Sequence, residues 1–158
     1  MGESVKIEMT QNYELKGNCA CGKVNYKIIN EPLFTQACHC KDCKISTGSS
    51  FVIHTMVLPY EFQSSGDVAS TELPTGSGKG VNAYFCKICG VYVFCKYNVS
   101  EGRIAVRTKT LENPIEPQAH IFVKDKDPWI EIKDKTICHE EMYDREKTWS
   151  KESLERIK

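Results

Sequence analysis

The chain has 158 residues, a length typical of one domain and short for two. It carries 21 Lys and Arg residues against 21 Asp and Glu residues, and this balance argues against a nucleic-acid or anionic-membrane partner. No apolar run approaches the roughly 18 residues that a membrane span requires, so we expect a soluble protein.

Residues 1–13 mix charged and polar side chains without a regular period, which predicts a loosely held leader or an edge segment. The first six residues lack the apolar stretch of a secretory signal, and Lys6 stands where a myristoylation signal requires Ser or Thr. We therefore expect a cytoplasmic protein, in a compartment that keeps thiols reduced.

Alternating or β-branched stretches predict six strands along the chain. They cover residues 23–28, 51–58, 81–85, 91–97, 104–108 and 120–123. Their spacing fits an antiparallel β domain better than alternating strands and helices. Residues 41–44 predict one helical turn that ends near Gly48, and residues 64–80, rich in Ser, Thr and Gly, predict a surface loop or a hairpin end.

Cysteine is the anomaly of the composition, with nine residues in the chain. Seven of them fall in three tight groups, and the other two, Cys95 and Cys138, stand apart. The groups are Cys19 and Cys21; Cys38, Cys40 and Cys43; and Cys86 and Cys89. Clustered thiols in a reducing compartment indicate metal binding rather than disulfides.

Zinc prefers four ligands in tetrahedral geometry, and two tight turns that each supply two thiolates close such a site well. Cys86 and Cys89, followed by Gly90, have the spacing of a zinc knuckle. Its partner comes from Cys19 and Cys21 or from the group of three. The first choice is favoured because seven thiols then divide as four plus three. A four-thiolate site is closed and structural, whereas a three-thiolate site keeps one position open.

The order and spacing of these groups resemble the glutathione-dependent formaldehyde-activating enzyme (Gfa/CENP-V) family. The matching stretches are residues 17–22, 38–43, 47–51, 84–90 and 117–121, with Trp129. They extend over roughly residues 14–132. The domain organisation that follows is a leader at 1–13, a zinc domain at 14–132, and a charged extension at 133–158 that packs on the same domain or trails from it.

This resemblance implies a mainly β, Mss4-like fold, a tent of antiparallel sheets around a structural zinc with few short helices. It implies two zinc ions per chain, the second of them labile. The structural ion would bind Cys19, Cys21, Cys86 and Cys89, and the catalytic ion Cys38, Cys40 and Cys43. The implied activity is a carbon–sulfur lyase reaction, the condensation of formaldehyde with glutathione to S-hydroxymethylglutathione.

The first hypothesis is therefore a zinc enzyme whose partners are a small thiol such as glutathione and a small aldehyde. The alternative is a non-catalytic zinc module of the same fold that binds a protein. A nucleic-acid-binding zinc ribbon is disfavoured by the balanced charge. The sequence leaves open the true substrates, the residue that transfers a proton and the oligomeric state.

Several residues near the second group have ordinary structural interpretations. Because neighbours in an extended chain point to opposite sides, His39 should face away from the metal and form a structural hydrogen bond. His54 should occupy a core or surface position rather than act as a general acid. The charged side chains of Lys41, Asp42 and Lys44 are expected mainly in solvent. Thr47, Gly48 and Ser49 either offer hydrogen-bond donors to a substrate or form a turn. Cys95 and the aromatic residues, Trp129 included, should lie in the core, and Cys138 should not bind metal.

Overall fold

A computed structural model describes residues 13–75, 78–99, 103–133 and 135–158. Within these ranges the chain is mainly β, with eleven strands in two sheets and three short α-helices. The strands are β1 Leu15–Asn18, β2 Asn25–Ile28, β3 Phe34–Cys38, β4 Val52–Val57, β5 Phe62–Ser65, β6 Val68–Leu73, β7 Val81–Cys86, β8 Tyr92–Tyr97, β9 Ile104–Arg107, β10 Ala119–Ile121 and β11 Ile137–Cys138. The helices are α1 Lys41–Thr47, α2 Arg145–Thr148 and α3 Lys151–Arg156. Apart from Tyr13, the predicted leader lies outside the described residues.

The smaller sheet has the order β1-β2-β5 and is antiparallel throughout. Strand β2 alternates strictly, with Tyr26 and Ile28 buried and Asn25 and Lys27 exposed. The buried face packs against residues of β4, β8 and β9, which form one apolar cluster with it. The Tyr26 hydroxyl extends this contact with a hydrogen bond of 2.7 Å to the Thr110 side chain.

The larger sheet has eight strands in the order β11-β10-β3-β4-β9-β8-β7-β6. Most neighbours are antiparallel as predicted, but β10 pairs in parallel with both β3 and β11. Neither of these pairs is joined by a tight hairpin, and only a hairpin forces antiparallel direction. Strand β3 lies inside the sheet and all five of its residues are buried.

Two sequence predictions are wrong, the first of them in part. The segment 64–80, predicted as a surface loop or a hairpin end, holds the end of β5 and the whole of β6, which pairs with β7 over six residues, so that only the hairpin connection from β6 to β7 fits the prediction. Strand β6 is an edge strand with largely solvent-facing side chains, and its polar composition therefore imitates a loop. Trp129 is 74% exposed rather than buried, although Phe94 of the same predicted aromatic set is in the core.

The charged extension packs on the larger sheet and contributes to its core. Trp149 is buried and stacks on Phe34, with ring centroids 5.7 Å apart. The Ser153 hydroxyl donates to the Leu33 carbonyl at 2.7 Å. The Arg156 Nη2 donates to both carboxylate oxygens of Glu61, which is buried. These contacts fix the extension against β3, the strand that leads into the second thiol group.

Candidate metal centres

The four-thiol cluster consists of Cys19, Cys21, Cys86 and Cys89, whose sulfurs all lie within 4.8 Å of one another. Two tight turns, one after β1 and one after β7, bring these residues together. Gly22 and Gly90 close the turns with positive φ angles of 74° and 75°, a conformation that a residue with a side chain rarely adopts. The two turns are far apart in the chain, so the cluster joins the smaller sheet to the larger one.

The hydrogen bonds around the four sulfurs favour a thiolate at Cys19 but not at Cys21. The Lys23 amide lowers the pKa of Cys21, but desolvation and the neighbouring thiols outweigh it and raise that pKa to about 11. The Val24 amide donates to the Cys19 sulfur at 3.2 Å, and the Ile88 amide donates to the Cys86 sulfur at 3.4 Å. Burial raises the pKa of Cys19, but hydrogen bonds from Val24 and the neighbouring thiols outweigh it and lower that pKa to about 6. Four convergent sulfurs with amide donors are a donor set that suits zinc.

The three-thiol cluster consists of Cys38, Cys40 and Cys43. Cys38 ends β3, Cys40 is the N-cap of α1, and Cys43 lies in the first turn of that helix. The Cys40 sulfur accepts a hydrogen bond of 3.3 Å from the Cys43 amide, as an N-cap side chain does. At this strand-to-helix junction the Cys38 and Cys43 sulfurs lie within 4.8 Å of each other, whereas Cys40 does not belong to the group of close metal-ligating atoms that includes them.

Negative charge in this cluster concentrates on one sulfur. Hydrogen bonds from the Cys38 and Cys43 thiols lower the pKa of Cys40 to about 3. The hydrogen bond with Cys40, together with burial, raises the pKa of Cys38 to about 12, and the hydrogen bonds with Cys38 and Cys40 raise that of Cys43. The second and third protons are therefore hard to remove unless a cation compensates the added charge.

His54 is a neighbour of this cluster that sequence reasoning placed only in the core or on the surface. It lies on β4, opposite Gln36 of β3, and is 1% exposed. Its Nε2 is 3.8 Å from the Cys43 sulfur, and its Nδ1 accepts a hydrogen bond from Arg107 of β9. The metal-binding atoms of Cys38, Cys43 and His54 lie within 4.8 Å of one another. Burial and the Arg107 charge hold the pKa of His54 well below its usual value.

His39 makes the structural hydrogen bond expected of it. It is fully buried, and its Nε2 lies 2.8 Å from Nδ1 of His120. Burial, followed by the charge of His120, lowers the pKa of His39 to about 4. This pair ties the Cys38–Cys40 segment to β10.

A cavity of about 380 Å³ opens beside the three-thiol cluster. All three thiols line it, together with Arg107, which is 7% exposed. Glu141 and Met142 of the extension also line it. A second cleft of about 620 Å³ shares Arg107 and Ser46 with this cavity.

The polar residues that follow Cys43 end the helix. Thr47 donates to the Cys43 carbonyl at 2.8 Å, and Ser49 donates to the Phe51 carbonyl at 2.9 Å. Gly48 caps the helix with a φ of 60°. These observations favour the turn over the substrate-donor interpretation.

The remaining candidate residues are three charged residues beside the cluster and the two cysteines outside both clusters. Lys44 pairs with Asp127 at 3.1 Å, whereas Asp42 lines the cavity and Lys41 is exposed. Cys95 is buried within β8 and Cys138 is exposed at β11. Neither belongs to a metal-competent group among the described residues.

Comparisons with known proteins place this arrangement in a family. Within the described ranges, every helix is too short or too polar to span a membrane. No curated protein matches the chain. A crystal structure of a Rhodobacter sphaeroides protein matches with a TM-score of 0.49 and 23% identity, over 65% of this chain and 91% of that one. The family model of the glutathione-dependent formaldehyde-activating enzyme matches residues 14–125. The chain therefore belongs to the glutathione-dependent formaldehyde-activating enzyme family.

Proposed function

We propose that the protein is a cytoplasmic, zinc-dependent carbon–sulfur lyase or synthase that acts on the adduct of glutathione with a small aldehyde. Family membership supports a glutathione-dependent, formaldehyde-related function. The observation that carries the finer proposal is the cavity of about 380 Å³, whose wall holds the thiols of Cys38, Cys40 and Cys43. A ligand set of three thiolates leaves one position for a substrate.

The two clusters suit different metal roles. Cys19, Cys21, Cys86 and Cys89 would hold a closed structural ion. Cys38, Cys40 and Cys43, which line the cavity, would hold a second ion. When bound there, zinc would supply a Lewis-acidic site at which an incoming thiol loses its proton more readily.

The chain's own residues define what can react. Arg107 places a buried positive charge beside the thiols and offsets part of their negative charge. Met56, Phe122 and Met142 line the cavity with apolar surface, which limits the water around the reacting atoms. A volume of about 380 Å³ is at the small end of ligand pockets, so it favours the thiol end of glutathione together with a short aldehyde.

The reaction balances without a redox partner. One bond forms between the thiol sulfur and the aldehyde carbon, and the carbonyl π bond breaks. The thiol proton ends on the former carbonyl oxygen, which gives the hydroxymethyl thioether when the aldehyde is formaldehyde. The reverse reaction releases the same two molecules.

A second candidate function is a non-catalytic zinc module that binds a protein. One observation favours it, because His54 lies within 4.8 Å of the ligand atoms of Cys38 and Cys43. A histidine as the fourth ligand would close the second site and leave no place for a substrate.

The test combines zinc content with adduct formation. We expect the purified protein to bind two zinc ions, one of them removable by a mild chelator, and to accelerate adduct formation between glutathione and formaldehyde. Cys40→Ser should retain one zinc and lose the acceleration. Cys138→Ser is the matched control, since its thiol is exposed and lies outside both clusters, and it should behave like wild type. Acceleration that survives in Cys40→Ser, or its absence from the two-zinc wild-type protein, would refute the enzyme proposal.

A further inference from the structure

We propose that His54 is a positioning residue, which donates its Nε2–H to the Cys43 sulfur and does not supply the fourth ligand of the second metal. This inference rests on the proposed function only in taking the three-thiol cluster as a metal site. Its consequence is that the three thiols would leave one ligand position to a substrate sulfur.

Distance alone does not distinguish a ligand from a donor here. The His54 Nε2 lies 3.8 Å from the Cys43 sulfur. A nitrogen and a sulfur bound to one tetrahedral zinc ion would lie about 3.6 Å apart, given the usual bond lengths. An N–H···S hydrogen bond has a similar separation. The chemistry of the other ring nitrogen must therefore decide.

Arg107 settles which nitrogen carries the proton. A guanidinium group has five N–H donors and no acceptor, and it stays charged in proteins. Because Arg107 contacts Nδ1 of His54, that nitrogen must accept and has no proton of its own. A neutral imidazole then carries its single proton on Nε2, which is the nitrogen that faces Cys43.

A histidine ligand requires the opposite arrangement. When Nε2 binds a metal, Nδ1 keeps its proton and donates it to a carboxylate, a carbonyl or water. Here Nδ1 faces a donor instead, so coordination through Nε2 would require a doubly deprotonated ring. The contact with Arg107 is thus unsuitable if His54 is a metal ligand and suitable if His54 donates a hydrogen bond through Nε2.

Arg107 is held in place by its own packing. Strand β9 sets it directly opposite His54 in the register with β4. Its guanidinium lies 3.9 Å from the centroid of the Tyr92 ring, within the range of a cation–π contact. Tyr97 packs edge-on against the His54 ring at 6.1 Å. Burial on these sides leaves the histidine little freedom to reverse its ring.

The tautomer can be measured in the unaltered protein. Two-bond proton–nitrogen correlation spectra of histidine-labelled, zinc-loaded protein distinguish the two neutral forms of the ring. We expect His54 to carry its proton on Nε2, with Nδ1 unprotonated. A proton on Nδ1 together with a metal-shifted Nε2 signal would overturn the proposal. This measurement needs no variant to fold.

Two variants provide an independent readout. A glutamine amide can replace Nε2–H as a donor but is a poor zinc ligand, whereas alanine can do neither. We expect His54→Gln to keep the affinity of the second zinc site within a few-fold of wild type. We expect His54→Ala to weaken it by roughly 10- to 100-fold, as the loss of an outer partner of a metal ligand does. Competition with a chromophoric chelator measures both values, with zinc in the four-thiol cluster as the internal control for folding.

The outcomes separate cleanly. A large and equal loss of affinity in both variants would identify His54 as a ligand and overturn the proposal. Equal affinity in wild type and both variants would also overturn it, because the hydrogen bond would then contribute nothing. Neither readout uses glutathione or formaldehyde, so a protein with the expected tautomer and no adduct formation would refute the proposed function alone.

Discussion

The four-thiol and three-thiol clusters present the same donor atom on very different backbones. The first joins two turns from separate sheets, with Cys21 and Cys86 separated by 65 positions in the chain. The second is local, since one strand end and one helix start supply Cys38, Cys40 and Cys43. The difference teaches that thiol groups of similar spacing in the sequence can lie in very different structural settings. The long-range cluster connects the two sheets, whereas the local one lies beside a cavity and suits the chemical role proposed for it.

The largest expected effect is the difference in stability between a variant of the four-thiol cluster and a variant of the three-thiol cluster. Cys86→Ser should remove the structural zinc and most of the stability, because zinc binding in small structural sites contributes about 10–16 kcal/mol. A domain is usually stable by only about 5–15 kcal/mol, so this variant should be largely unfolded. Cys40→Ser should lose only the second zinc and keep a cooperative unfolding transition near that of wild type.

Thermal unfolding followed by circular dichroism, with zinc measured in the same samples, tests the pair. Similar losses of melting temperature in both variants would contradict the division into a structural and a chemical cluster. A folded Cys86→Ser protein with one zinc would show that zinc in the four-thiol cluster is not needed for stability.

Sequence reasoning succeeded where the signal is local. The alternation of residues 81–85 and 91–97 predicted strands that the fold contains as β7 and β8. The short spacing of Cys38 and Cys43 also places their sulfurs close together, since a strand end and the first turn of a helix bring such neighbours together. The identity of the metal and the ligand assignments stay predictions.

It failed where the position of a residue depends on strand order. Strand β3 pairs with β10 across about half of the chain, with Gln36 opposite Ala119, and no local pattern predicts that contact. His54 reaches Cys43, and Arg107 reaches His54, only because β4 lies between β3 and β9 in a defined register. Glu141 reaches the cavity through the packing of the extension. Such neighbours require the topology, which spacing in one sequence does not encode.

The second prediction tests whether the two clusters are independent. It uses the C-terminal extension, which lines the cavity beside the three-thiol cluster. The Tyr143 hydroxyl donates to Gln36, a cavity residue, and accepts from the Trp149 indole at 2.8 Å. Tyr143→Phe leaves both groups without this partner, and we expect a loss of about 1–3 kcal/mol in the free energy of unfolding. Glutathione should also bind more weakly, while the zinc in the four-thiol cluster is unchanged.

Denaturant unfolding and calorimetric titration with glutathione measure the two effects, and Tyr60→Phe is the matched control because Tyr60 is exposed. Loss of the tightly held zinc in Tyr143→Phe would show that the two clusters are not independent.

The smallest expected effect concerns Cys95, a buried thiol that would be an alternative fourth ligand for the second metal. Burial raises the pKa of the Cys95 thiol, which keeps it neutral within β8. Cys95→Ala removes one buried atom from an apolar cluster and should cost about 1 kcal/mol of stability, comparable to one buried methylene group. We expect two zinc ions per chain in this variant, with the labile one held as in wild type. A variant with only one zinc would mean that Cys95 closes the second site, and the distinction between a closed and an open cluster would then fail.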